Sequence, residues 1–136
     1  MYDLLKEVIK NGTARKAKTL KRPDIAGKTG TTNDLMDAWF AGFNSDIVTV
    51  TWMGYDQPKS LGNKETGSRA ALPIWIDYMR PLLKDYPIKN LLKPEGIIPY
   101  KINKKTGMTN NADENGFYEY FYEEYPPFDN SYFVIN

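Results

Sequence analysis

Gly27-Lys28-Thr29-Gly30-Thr31-Thr32 sits at the end of an apolar lead-in, Ile25-Ala26. The run reads as a short strand with a cation near its start. Side chains alternate between the two faces of a strand, so Thr29 and Thr31 share one face and Lys28 and Gly30 take the other. Gly30 adds no side chain, so a substrate backbone can approach closely. A strand of this kind can grip a carboxylate with hydroxyls and an ammonium, and can lend a backbone N–H to an oxyanion. The competing structural reading is a lysine and two threonines on an ordinary edge strand, where such residues are common. Lys105-Thr106-Gly107 repeats the triplet in a polar stretch with no strand pattern before it, so the flanking sequence has to decide.

Two apolar runs follow Lys28: Asp37 to Phe43 and Ile47 to Tyr55, joined by Asn44-Ser45-Asp46. Val48, Val50 and Trp52 alternate with Thr49, Thr51 and Met53, which is strand periodicity. With residues 25–32 these runs predict a three-strand antiparallel meander. Upstream, Leu4, Leu5, Val8 and Ile9 have the spacing of an amphipathic helix that stops near Gly12. Residues 13–24 read as a basic, polar connector. Downstream, residues 56–68 are loop by composition. Ala70, Ala71, Ile74, Trp75, Tyr78 and Met79 return to helical spacing, with Pro73 acceptable in the first turn. Pro81 is expected to kink or end that helix near Arg80. Ile97 to Ile102 fits a strand and Lys104-Lys105-Thr106-Gly107 a turn. Phe117 to Tyr125 is an aromatic and acidic run, read as a segment packed on its own domain, with a carbohydrate-stacking platform as the alternative. Trp39, Trp52 and Trp75 are expected in the core. Asp37 is expected to cap the turn before its strand rather than to touch substrate.

The chain has 136 residues, enough for one domain or a piece of a larger one. A net charge of +1 argues against a general nucleic-acid or membrane-surface role. Charge is uneven, however. Lys6, Lys10, Arg15, Lys16, Lys18, Lys21, Arg22 and Lys28 crowd the start, and Asp113, Glu114, Glu119, Glu123, Glu124 and Asp129 mark the tail. There is no cysteine and no histidine. Thiol nucleophiles, disulfides, thiolate metal sites and a serine–histidine pair are therefore excluded, and lysine would have to move the protons in any acyl transfer. No cofactor and no metal is expected. No apolar run reaches the length of a membrane span and no signal peptide is visible. The expectation is a cytosolic protein or a targeting segment upstream; the lack of cysteine fits export.

Several motifs then recur in order. They are Asn11-Gly12-Thr13-Ala14, Ala26-Gly27-Lys28-Thr29-Gly30-Thr31-Thr32-Asn33, Asp37-Ala38-Trp39-Phe40-Ala41-Gly42-Phe43 and Trp52-Met53-Gly54-Tyr55-Asp56. Glu65-Thr66-Gly67 and Arg69-Ala70-Ala71-Leu72-Pro73-Ile74-Trp75 complete the series. The series closely resembles the C-terminal part of the transpeptidase domain in class A penicillin-binding proteins of the 1A type. The K-T-G triplet, with S-x-x-K and an S-x-N motif, is the signature set of such enzymes and of serine β-lactamases. The likeness is strong over residues 4–80 and loose over 94–127, where Pro94-Glu95-Gly96-Ile97 and Thr106-Gly107 look like a trailing extension.

The resemblance implies an α+β fold: a fragment of the β-lactamase-like, penicillin-recognising transpeptidase fold. Residues 1–86 would be the C-terminal part of the transpeptidase domain, a three-strand antiparallel meander flanked by N- and C-terminal helices. Residues 87–136 would be an irregular C-terminal extension. It also implies a serine D,D-transpeptidase that cross-links peptidoglycan stem peptides through an acyl-enzyme and is the target of β-lactams. The parent would be a glycosyltransferase as well, anchored upstream in the inner membrane and facing the periplasm, with a part in cell-wall synthesis and cell shape. By resemblance, Lys28 keeps the pocket cationic and helps hold the serine of the S-x-N motif. The Thr29 and Thr31 hydroxyls bind the terminal carboxylate beside Gly30, and the Thr31 N–H forms half of the oxyanion hole. One departure matters. The serines are Ser45, Ser60, Ser68 and Ser131, and none has lysine three residues later or asparagine two later. The nucleophile is absent, so this chain alone should be inactive. Partners would be stem peptides and β-lactams in the parent, neither nucleic acid nor membrane for this piece, and a second copy through the exposed strand 47–55. The alternative is a non-enzymatic interaction module, or a single-stranded nucleic-acid binder using the basic N-terminal region and the aromatic tail.

Overall fold

Helix α1 (Tyr2–Lys10) opens the chain. Its stripe is narrower than the sequence spacing predicts: Ile9 is buried and Val8 half-buried, whereas Leu4 stays exposed. The computed structural model describes residues 1–109 and 116–127. It divides into two units, Met1–Leu91 and Leu92–Asn136. Asp113, Glu114, Asp129 and Ser131 lie outside the described residues.

In the first unit the polar connector after α1 is not extended. Arg15–Leu20 winds into a 3₁₀ helix with Ala17 buried, ending at Lys21 in the left-handed region. Strand β1 (Ala26–Thr31), β2 (Ala38–Phe43) and β3 (Val48–Met53) then form the antiparallel meander, in the order β1-β2-β3. Lys28 pairs with Ala41, Gly30 with Trp39, and Trp39 in turn with Trp52. The hairpin between β2 and β3 is closed by Asn44, whose Oδ1 accepts from the N–H groups of Asp46 and Ile47.

One face of this sheet is covered by helix α2 (Leu72–Leu82) and the single π-type turn before it, Gly67–Ala71. Leu72, Trp75, Ile76 and Met79 are the buried side of α2 and join Phe40, Ala38, Ile25 and Ile9 in one core. Trp75 meets Phe40 edge-on, with ring centroids 4.9 Å apart and planes at 71°. The Trp75 indole N–H also donates to the Thr49 carbonyl at 3.2 Å, so its one polar atom is satisfied where it is buried. A buried tryptophan of this kind contributes about 3–5 kcal/mol over alanine. Pro73 lies in the first turn of α2, as its fixed φ favours. Pro81, expected to kink or end the helix near Arg80, is its last residue but one. It removes one backbone donor so close to the end that the Leu83 N–H still closes the last turn on the Met79 carbonyl.

On the opposite face Ala26 is buried and Phe43 packs against Tyr2 of α1, but the rest is exposed among the described residues, and here the tryptophan expectation fails for two of three. Trp39 is 41% and Trp52 44% exposed, on the face shared with Val48, Val50 and Lys28. The two indoles touch each other at 6.0 Å, and Trp52 Nε1 donates to Asp37 Oδ1 at 2.9 Å. Asp37 thus holds its turn by side chain and backbone together, since its N–H donates to Thr32 Oγ1 at 2.8 Å.

In the second unit β4 (Ile97–Ile102) pairs antiparallel with β5 (Phe117–Tyr122). The aromatic run is therefore a strand over its first six residues. Tyr118, Tyr120 and Tyr122 stand exposed on one face, while Phe121 stacks edge-on against Tyr100 on the other. Lys105-Thr106-Gly107 is a turn organised by Asn103, whose Oδ1 accepts from the N–H groups of Lys105 and Thr106.

Candidate substrate-binding strand

β1 is an edge strand, and its hydrogen-bond phase decides which groups it offers. The Thr32 N–H donates to the Asp37 carbonyl at 3.1 Å, directly beyond the last pair of the β1–β2 ladder. In an antiparallel pair both backbone groups of a residue point the same way and alternate along the strand. Lys28, Gly30 and Thr32 therefore turn their N–H and C=O groups toward β2. Gly27, Thr29 and Thr31 turn theirs to the free edge.

The side chains close on that same edge. Lys28 is exposed, and its ammonium curls over to donate to the Thr29 carbonyl at 2.8 Å. Its stem starts on the face opposite the threonines, yet its charge finishes beside them. Thr29 Oγ1 lies 2.7 Å from Thr13 Oγ1, and Thr31 Oγ1 accepts from the Gly67 N–H at 3.0 Å. Lys28, Thr29 and Thr31 are thus gathered on one strand edge, with the Thr31 N–H directed outward among them.

Gly30 has a structural cause beside any functional one. A Cβ there would come within 3.2 Å of the Trp39 Cβ across the ladder, tighter than side chains usually pack. Gly67 is under a stronger demand: a Cβ there would overlap the carbonyl oxygens of both Gly30 and Trp39. Its backbone lies flat on the sheet under the site, which is how its amide reaches Thr31.

Sequence reasoning placed Lys28, Thr29, Gly30 and Thr31 but gave no role to Thr13 or Gly67. Both stand inside the quoted motifs, so the residues were visible; the hydrogen bonds that tie them to the strand were not. Among the described residues no group of three or more acidic side chains could hold a metal ion, and no helix is long and apolar enough to cross a membrane.

No family model matches the chain. The penicillin-binding protein 1A of Pseudomonas aeruginosa is 49% identical over 128 residues, which cover 93% of this chain and 16% of that protein. The penicillin-binding protein 1A of Neisseria lactamica is 52% identical over 98 residues, 72% of this chain and 12% of that protein. The crystal structure of penicillin-binding protein 1A from Haemophilus influenzae superposes with a TM-score of 0.85 at 36% identity, over 93% of this chain and 20% of that one. The chain is homologous to the C-terminal part of penicillin-binding protein 1A. It spans less than a fifth of the length of these curated relatives. The α+β architecture, with its three-strand meander between helices, is that of the matching part of the transpeptidase fold in penicillin-binding protein 1A.

Proposed function

We propose that this chain supplies one wall of the active site in a peptidoglycan D,D-transpeptidase. Residues 1–86 form that wall and 87–136 the trailing extension. The observation that carries the reading is the free edge of β1, where the Lys28 ammonium, two threonine hydroxyls and the outward Thr31 N–H are gathered. The substrate's terminal carboxylate would lie against Thr29 and Thr31, each hydrogen bond to that charge contributing about 1.5–3 kcal/mol. The Thr31 N–H would donate to the oxyanion of the tetrahedral intermediate, a contact worth roughly 3–4 kcal/mol in the transition state. Lys28 would keep the pocket cationic and steady the partner motif. The serine nucleophile and its base are supplied by other parts of the parent, which works on the periplasmic side of the inner membrane and carries glycosyltransferase activity too. β-Lactams would occupy the same edge.

A labelled penicillin tests this directly. The full-length parent should take up one acyl group on a serine outside this chain. The isolated chain, incubated in the same way and weighed by mass spectrometry, should gain no mass. A stoichiometric adduct on the isolated chain would mean that the chemistry has been placed on the wrong residues.

A second expectation concerns the other edge of the sheet. Among the described residues β3 pairs only with β2, and Val48 beside its free edge is 76% exposed. In the resembled fold two further strands lie there. An unpaired edge flanked by apolar side chains recruits other chains. The isolated chain should therefore form dimers or larger species, seen as a scattering mass that rises with concentration. A strict monomer whose amides over 47–55 exchange slowly would contradict this.

A further inference from the structure

Thr13 and Gly67 reach the threonines of β1 from opposite ends of the first unit, and each leaves a threonine in a particular donor state. A hydroxyl has one proton to give and two lone pairs with which to accept. At Thr31 the direction is fixed: a backbone N–H can only donate, so the 3.0 Å bond from Gly67 fills a lone pair and leaves the Thr31 proton uncommitted. At Thr29 either hydroxyl of the 2.7 Å pair can donate. If Thr29 donates to Thr13, its proton is spent and it offers an approaching anion only lone pairs. If Thr13 donates, the Thr29 proton is free, and both threonines present donors to the same edge.

Both orienting groups are held by the fold rather than by chance contact. Thr13 sits in a tight turn off α1, where the Ala14 N–H donates to the Val8 carbonyl at 3.1 Å and Ala14 is fully buried. Gly67 is pressed against the backbones of Gly30 and Trp39, where a Cβ would overlap their oxygens.

We propose that Thr13 and Gly67 are positioning residues that turn the Thr29 and Thr31 hydroxyls into a matched pair of donors, selecting substrates that bring a carboxylate to this edge. The proposal rests on the reading of β1 as a carboxylate-binding strand. Thr13 acts through Thr29 and does not touch the substrate.

The test uses the full-length parent and two probes, a penicillin and its methyl ester, which differ in the anionic group alone. Thr13→Val removes the donor at nearly constant volume, and Thr13→Ser restores it. The second-order acylation rate with the penicillin should fall about threefold to tenfold in Thr13→Val, because the Thr29 hydroxyl keeps its proton but loses the neutral hydrogen bond that aims it. The rate with the ester should change less than about twofold, and Thr13→Ser should recover the penicillin rate. Equal losses with acid and ester, or a valine variant indistinguishable from wild type, would overturn the proposal. Thr29→Val separates that failure from failure of the underlying reading. If Thr29→Val slows the penicillin while Thr13→Val does not, the carboxylate strand stands and the role of Thr13 falls. If Thr29→Val leaves the preference for acid over ester unchanged, both fall together.

Discussion

Replacing Lys28 by alanine in the full-length parent is expected to slow acylation by penicillin roughly a hundredfold or more, with the thermal midpoint almost unchanged. The two halves of that expectation have separate physical causes. Lys28 is exposed, and its ammonium bonds to the Thr29 carbonyl and to no buried group, so little packing is lost with it. Its charge, however, lies at the edge of β1 that is unpaired among the described residues, where an anionic substrate would settle. Once substrate and the rest of the parent's site exclude water there, a cation held at that edge would act on the transition state with little reorganisation. Lys105→Ala is the matched control. The same triplet there forms an Asn103-centred turn, with Gly107 at a φ of 70°, and offers no strand edge. It should be silent. Stopped acylation time courses on both variants, with melting curves beside them, check the expectation. A Lys28→Ala rate within about twofold of wild type would refute the assigned role.

Strand β1 and its two partners were legible because their signals are local. Alternation in Val48-Thr49-Val50-Thr51-Trp52, the Asn44-Ser45-Asp46 break and the motif order all sit within a few residues of the elements they announce. What alternation could not say was which face would be covered. Trp39 and Trp52 look like core residues by type, but register sets them on the Lys28 face, opposite α2. Pro81, by contrast, marked the end of α2 locally, since only one residue of the helix follows it. The 3₁₀ helix over Arg15–Leu20 gave no periodic signal, being one buried alanine among cations. At the candidate site the strand residues were readable from their types. Thr13 and Gly67 were not, because a hydrogen bond across 16 or 36 residues leaves no trace in spacing.

The largest effect on stability should come from Arg22, a residue whose sequence context is only a basic stretch. Asp24 is fully buried just ahead of β1, and Arg22 meets it with both prongs, Nε to Oδ1 at 2.7 Å and Nη2 to Oδ2 at 2.6 Å. The same guanidinium donates to the carbonyls of Leu83 at 2.8 Å, Tyr86 at 2.7 Å and Pro87 at 3.2 Å. One side chain thus ties the entry to β1 to the chain leaving α2, and places a cation on the carbonyl end of that helix. Tyr2 adds α1 to the cluster through a 3.0 Å bond to the Asp24 carbonyl. Arg22→Ala would leave the buried carboxylate and three carbonyls without this donor, at a cost of about 3–5 kcal/mol. For a unit of this size that lowers the melting midpoint by on the order of 15 °C or more. Arg22→Lys should recover little, since an ammonium cannot match the forked geometry. Burial alone would push the Asp24 carboxyl upward. The Arg22 guanidinium and the Lys89 amide outweigh it and hold the group below its ordinary value. A carboxylate held low contributes stability that is fully present above its unfolded pKa of about 3.9 and is lost as pH falls through the lower folded value. Wild type should therefore lose stability below about pH 4, and Asp24→Asn should be less stable at neutral pH but flatter in that acid range. Melting of this chain followed by tryptophan fluorescence from pH 2 to 7 measures both. An Arg22→Ala midpoint within a few degrees of wild type would show that the cluster is not what holds β1 against α2.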